Sequence, residues 1–538
     1  MAIAKLASQI VALLSFTLST STFAKEVDVK ASVNATTYIY ETQIGQNEAK
    51  QNESIIIRPS ILGSYSSRKV SFSVTATHSM VKNSSQSDSV DINENSDTSQ
   101  NYTDLKYTGK FDFIKNALSL ILSGAESYRN VSQQQDYFSD QILAPEGLTK
   151  TRNNRAQVNF TVPNPLYFGF KLQSTYSTTE TQRSLESESG IDSENKTILA
   201  RLYQGKNFQR INFDISAEYN DTSRNNFQNF ESTRLKGDFS FPLYRNFNFL
   251  VTGRLEEYDI GQEIFITRTS LDTSSYGAGL EWNPSNARKI SFTYNQLDEG
   301  EKQTDFVGLN IAWAFSPRTS MNFDYGKRFY GDAYQFNFRH ALKYFRTSIS
   351  YSEDLTSYAR LGATTTNITG IFVCEFGSTE LTDCFQPDSL DYQLQAGEEF
   401  RAATETETDI TEEVIFRKTG SASLGYEKRK IKMSIEARYQ NTEYLESDRL
   451  RTNNTLRFNL NYALGRRTNI SFISSIAETK SSLEGKPDTI INTSLNFSRT
   501  LGQHVNFNMS ARFLDRQSDI IERDGNDKRL TLGIKYTF

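Results

Sequence analysis

Residues 529–538 read Arg-Leu-Thr-Leu-Gly-Ile-Lys-Tyr-Thr-Phe, and this stretch decides the fold. Leu530, Leu532, Ile534, Tyr536 and Phe538 alternate with Thr531, Gly533, Lys535 and Thr537. A period of two puts the large apolar side chains on one face of a β-strand and the small or polar ones on the other. The chain stops on this two-faced strand, with no polar tail after it.

The same alternation recurs upstream. It runs through Val27, Val29, Ala31 and Val33, then Ile55, Ile57, Pro59 and Ile61, then Val70, Phe72, Val74 and Ala76. Further along it returns in Ile211, Phe213, Ile215 and Ala217, in Leu309, Ile311, Trp313 and Phe315, and in Val505, Phe507, Met509 and Ala511. No segment of comparable strength has helical spacing. The composition agrees. Hydrophobic residues make up 37% and mean hydropathy is −0.55, yet the 538 residues include 37 Phe and 27 Tyr. Aromatic and polar at once, the chain suits strands that are apolar on one face only.

The first 24 residues read separately. Lys5, the apolar run Leu6–Leu18 and the small residues Thr22 and Ala24 fit a secretory signal peptide, residues 1–24, cut after Ala24. The run is too short to span a bilayer as a helix, and no later stretch supplies the ~18 apolar residues a membrane helix needs. Without residues 1–24 the charge is 58 − 64 = −6. This mild acidity speaks against nucleic acid as a partner. Cys374 and Cys384, with nine residues between them in an exported chain, are expected to form a disulfide. With no His or third Cys near them, no metal site is expected.

The connections alternate in length. Eleven are short, such as 66–68, 114–116, 244–246, 316–318, 428–430 and 465–467. Twelve are long and polar, such as 42–53, 82–98, 128–150, 221–232, 441–454 and 514–528. Together they join 24 strands. An even strand number, short turns on one side and long loops on the other describe an outer-membrane barrel. The expected fold is therefore all-β: a single transmembrane antiparallel up-and-down β-barrel of about 24 strands, residues 25–538, with short periplasmic turns and long external loops. In lipid an open sheet edge is not tolerated. The closing strand 529–538 must therefore pair with the strand near Val27–Ile39, and it ends at the membrane edge. A secreted solenoid is the rival architecture, but the connections follow no fixed period. Phe538, with Tyr536 two residues before it, resembles the C-terminal signature of bacterial outer-membrane proteins. That resemblance implies recognition by the barrel-assembly machinery and residence in the cell outer membrane of a Gram-negative bacterium, in contact with its lipid.

The short turns are basic, with Arg68, Lys69, Lys115, Arg245, Arg288, Lys343, Arg429 and Arg466 in or beside them. They meet anionic headgroups or simply solvate the turns; both readings stay open. Aromatic residues cluster beside these turns (Phe113, Tyr167, Tyr244, Trp282, Phe315, Tyr344). Tyr176, Tyr219, Tyr258 and Tyr439 lie toward the loop ends. These read as two interfacial girdles. On the polar faces stand Asp214, Glu218, Arg234, Lys236, Asp238, Arg254, Glu256, Lys432, Glu436, Arg438 and Arg457. They are the candidate lumen-lining residues. Opposite charges on neighbouring strands brace a wet wall, or they form the selectivity surface of a pore.

The longest connection, 353–413, holds 14 acidic residues against Arg360 and Arg401, a net of −12, together with both cysteines and Ile371-Phe372-Val373. Because a barrel of ~24 strands encloses a wide lumen and the first strand follows the cleavage site directly, this segment is expected to cap or restrict the lumen. Its acids show no EF-hand spacing for calcium. No catalytic constellation surrounds His78, His340 or His504, and phosphate-loop and dinucleotide fingerprints are missing. Neither an enzyme nor a cofactor is expected.

In layout the whole chain resembles the uncharacterised outer-membrane barrels of PEP-CTERM and exopolysaccharide export loci. The resemblance implies a porin-like role in passage or export of a polysaccharide or other envelope solute, with exopolysaccharide export components as partners. The alternative is a surface adhesion or structural protein with a sealed barrel.

Overall fold

The computed structural model describes residues 27–85, 98–130, 142, 148–181, 192–208, 210–225, 229–259, 272–285, 287–298, 303–357, 371–375, 384–385, 398–402, 414–445, 447–482, 486–521 and 523–538. The signal-peptide reading of residues 1–24 and most of the 353–413 connection lie outside them.

Twenty-four strands form one sheet, each paired antiparallel with its neighbour in the chain. The first strand, Val27–Ile44, pairs with Lys50–Ser66 on one side and with the last, Gly525–Thr537, on the other. The seam runs from Ser32↔Thr537 to Ile44↔Gly525 and closes the ring. The alternation at 529–538 thus has its predicted partner. Three further short strands, Ile371–Glu375, Cys384–Phe385 and Glu398–Ala402, form a separate small sheet within the longest connection.

The two faces of the ring differ as the period of two requires. Leu280 (55% exposed), Phe292 (56%) and Ile534 (53%) stand on the outside, with many other large apolar side chains around the ring. An apolar belt of this extent belongs against lipid rather than water. At the short-turn end the belt finishes in rings with basic residues over them. Arg245 lies over Tyr244 (5.0 Å), Arg288 over Trp313 (5.3 Å), and Lys343 and Lys428 both over Tyr344 (5.2 and 5.4 Å). The turn charges and the girdle are therefore one layer, joined by cation–π contacts.

At the other end the structure departs from the sequence reading. Residues 441–454 read as a loop, yet Asn441–Tyr444 pair with Arg449–Thr452 and leave only 445–448 as the connection. Likewise Asn220–Thr222 pair with Phe230–Ser232. Polar residues outnumber apolar ones in these extensions, with Phe230, Tyr444 and Leu450 the large apolar or aromatic exceptions, so the clean alternation is lost, but their backbone groups still need partners and find them in the ladder. The hairpin of Thr319–Arg328 with Gly331–Ala341 turns on Phe329 and Tyr330 alone. Gly331 there takes φ +105°, open to glycine and not to side-chain-bearing residues.

The ring is not round. Inner-face Gly277 and Gly279 lie in the strand Thr273–Ser285. A Cβ on Gly279 would meet Phe292 O at 1.8 Å, and one on Gly277 would meet Asn295 Oδ1 at 2.0 Å. The flanking strands, Phe247–Asp259 and Arg288–Asp298, approach within 8 Å between Cα atoms. Alternate strands of a flat sheet lie ~9.6 Å apart. The wall therefore folds sharply here, and glycine permits it.

Candidate functional site

All eleven candidate lumen residues have the parity opposite to the lipid belt and stand on the inner face. Asp214 receives both Nε (2.8 Å) and a terminal nitrogen of Arg201. Asp238 accepts from Thr252 Oγ1 (2.8 Å) and meets Lys236 (3.4 Å). Lys432 pairs with Glu427 (2.9 Å) near a short turn. Glu436 stands directly opposite Arg457 in the ladder. Arg201, Glu218, Arg234, Lys236, Arg254 and Arg328 share a lumenal cavity of about 440 Å³.

The sharp corner brings some of these residues together across the lumen. Glu256 lies 3.5 Å from Arg328, four strands away along the wall, and the Tyr258 and Phe329 rings meet at 5.4 Å. Arg234 reaches further. Its guanidinium bonds Asp354 Oδ1 (2.7 Å), the Leu355 carbonyl (2.8 Å) and Tyr258 Oη (3.0 Å), with Glu218 at 3.9 Å. Above this network Phe230, Tyr258, Leu355, Val414, Phe416 and Leu445 form a buried cluster, with Phe329 and Tyr330 packed against it. Phe230 is fully buried. The roots of the longest connection, Leu355 on one side and Val414 and Phe416 on the other, are thus fixed to the far strands of the mouth.

Tyr258, expected in a girdle, points inward. Its parity with Arg254 and Glu256 carried that signal. Glu281, not singled out in the sequence, lies at the corner. Ser240 (2.9 Å), Asn248 (3.0 Å) and Asn283 (2.7 Å) donate to its Oε1, and Lys289 lies 2.5 Å from Oε2. The seam holds a third cluster. Arg512 (2.8 Å), Thr42 (3.1 Å) and Arg529 (3.4 Å) surround the buried Asp527, and Arg529 lies over the rings of Tyr38 and Tyr40. Such pairs need partners from both ends of the chain, and no local spacing announces them.

Cys374 stands directly opposite Cys384 in the small sheet. Phe538 donates its backbone N–H to the Ala31 carbonyl (2.8 Å), and its ring meets Tyr536 at 4.9 Å. His78 and His340 are on the outer face, beside Thr103 and Thr319. His504 contacts the Thr537 carbonyl at a turn.

The fold and its two-faced wall define a closed transmembrane-type β-barrel. No known family profile matches the chain, and no curated protein matches it. Among solved structures it is similar to the FrpB iron transporter of Neisseria meningitidis, F5-1 variant (TM-score 0.44, 9% identity, 96% of this chain and 82% of that one). It is also similar to the siderophore receptor PirA of Acinetobacter baumannii (0.42, 9%, 95% and 80%). A third is a mutant of the ferric enterobactin receptor PfeA of Pseudomonas aeruginosa (0.41, 9%, 94% and 80%).

Proposed function

We propose that this chain is an outer-membrane passage barrel with a narrowed mouth, serving an envelope solute or polymer. One observation carries the reading: a closed ring whose outer face is apolar and whose inner face is lined with hydrogen-bonded charges, the division a wet pathway through lipid requires. A polysaccharide is the proposed cargo, with export components at the short-turn side. Residues 353–413, rooted at the pinched mouth, are proposed to restrict it. Tyr536 and Phe538 are proposed as the mark read by the assembly machinery. Purified mature protein in planar bilayers is expected to give discrete conductance steps, and deletion of residues 365–400 is expected to raise them. A silent bilayer overturns the passage reading.

A second reading, a sealed surface protein acting through its loops, is favoured by the Arg234–Asp354 bridge and the apolar cluster above it. It predicts no conductance, and loss of surface attachment on loop exchange.

A further inference from the structure

We propose that the lipid-facing side of the short-turn rim, at the corner of the wall, is a binding site for the phosphate headgroup of an anionic phospholipid, held by Arg288 and Arg245 among the two tryptophans. This goes beyond the passage reading and holds whether or not the barrel conducts.

Arg288 stands directly opposite Trp313 in the ladder, so the two share the outward face. Its Nε donates to the Ala314 carbonyl (2.9 Å) and a terminal nitrogen to the Phe315 carbonyl (3.5 Å), and its guanidinium lies 5.3 Å from the Trp313 ring centre. Trp282, on the strand at the other side of Arg288, brings its ring within 5.8 Å of Trp313, and Phe247 stacks on Trp282 at 6.5 Å. Arg245 lies in the adjoining turn, over Tyr244, whose ladder partner is Phe247. Among the described residues no carboxylate lies against either arginine. Carbonyls and rings orient a guanidinium and leave its charge in place, and the guanidinium fork matches phosphate oxygens.

Charge at this end is sorted by face. The acids Asp28, Asp112, Glu281 and Glu427 point into the lumen, and each is paired there with a lysine: Lys30, Lys110, Lys289 and Lys432. The outward face of the same half carries Arg288, Lys428 and Arg499, opposite Trp313, Ile431 and Phe507, and no acid among the described residues. Toward the long loops the outward face mixes both signs, with Glu126 beside Lys150 and Arg152, and Asp221 beside Lys196. Turns that needed only solvation would not separate their charges by face. At girdle level the missing counter-charge is a lipid phosphate. A zwitterionic headgroup would bring an ammonium with no outward carboxylate to meet it, so the lipid is anionic.

The chain has two tryptophans, and both stand at this site, so its intrinsic fluorescence reports on this place alone. The test reconstitutes the mature protein into phosphatidylcholine vesicles in which part of the lipid is replaced by phosphatidylglycerol or phosphatidylcholine carrying bromine on the acyl chain, which quenches a ring it touches. Both lipids are expected to quench, with phosphatidylglycerol selected over phosphatidylcholine by roughly fivefold or more at low salt. R245Q/R288Q is expected to bring the two lipids level. R245Q alone, in an exposed turn where folding is not at stake, is expected to lose part of the selectivity. K480Q, outward at the opposite rim, is expected to keep all of it. Equal quenching by the two lipids in the parent overturns the proposal, as does parent-like selectivity in R245Q and R245Q/R288Q. Selectivity abolished by excess inorganic phosphate at constant ionic strength would mark a site for soluble phosphate and overturns the lipid reading. A silent planar bilayer beside preserved selectivity overturns the passage reading and upholds this site.

Discussion

Arg234 and Asp354 are 2.7 Å apart, although seven strand-to-strand steps separate them along the wall. Seven steps cover about 34 Å at the usual strand spacing. A ring whose inner side chains meet over that arc is folded in on itself at the mouth. Substitution of Arg234 by Ala also removes its bonds to Tyr258 and the Leu355 carbonyl, whereas Asp354→Asn loses one partner. R234A is therefore expected to destabilise more than D354N, by about 2–3 kcal/mol against about 1 kcal/mol, since Asp354 is partly exposed. Urea titration in lipid vesicles reads the difference. Equal effects would mean that Asp354 alone carries the bridge. Both variants are expected to conduct more than the parent.

Gly279 tests the corner. With Phe292 O only 1.8 Å from an added Cβ, Gly279→Ala forces the neighbouring strand to move and is expected to destabilise by about 1–3 kcal/mol or block assembly. Gly465→Ala, with nothing within 4 Å of the new methyl, is the matched control and is expected to be neutral. Heat-modifiable migration on gels separates folded from unfolded barrel.

The two faces of one strand can be told apart by charge. Leu495, at the middle of Asp488–Leu501, is 50% exposed on the lipid side. Leu495→Lys is expected to lose about 2–4 kcal/mol in bilayers. Ser494→Glu, inward and opposite Arg512 in the ladder, is expected to be neutral or stabilising. The reverse ranking would invert the assignment of inside and outside.

The cysteines give a chemical prediction. A directly opposed antiparallel pair has Cα atoms ~4.5–5.5 Å apart, within the ~4.4–6.8 Å that a disulfide spans. Denatured, unreduced protein is expected to take up no maleimide, and reduced protein two equivalents. Labelling before reduction would show that Cys374 and Cys384 are thiols.

The legible part of the fold was whatever repeats with period two. The lipid belt, the strand number and the pairing of the last strand with the first all follow from it. Two things escaped. Ladders such as Asn441–Tyr444 with Arg449–Thr452 are mostly polar, with only Tyr444 and Leu450 interrupting, and lose the clean alternation, although backbone pairing continues. The pinch depends on contacts between residues far apart in the chain. Gly277 and Gly279 read locally as weak points in a strand, and only their neighbours in space reveal a bend. The polar faces were legible as faces opposite the apolar belt, but which of their charges meet is set by that bend.

The hydrogen bond from Thr42 to Asp527 joins residues 485 positions apart. No part of this seam can form until almost the entire chain has arrived, and its pairings span the greatest sequence separation in the ring, which makes closure intrinsically slow. Until then both terminal strands present raw edges. Productive assembly is thus a race between ring closure and pairing with a second nascent chain, and dilution or a chaperone that shields Val27–Ile44 should tilt that race toward monomers.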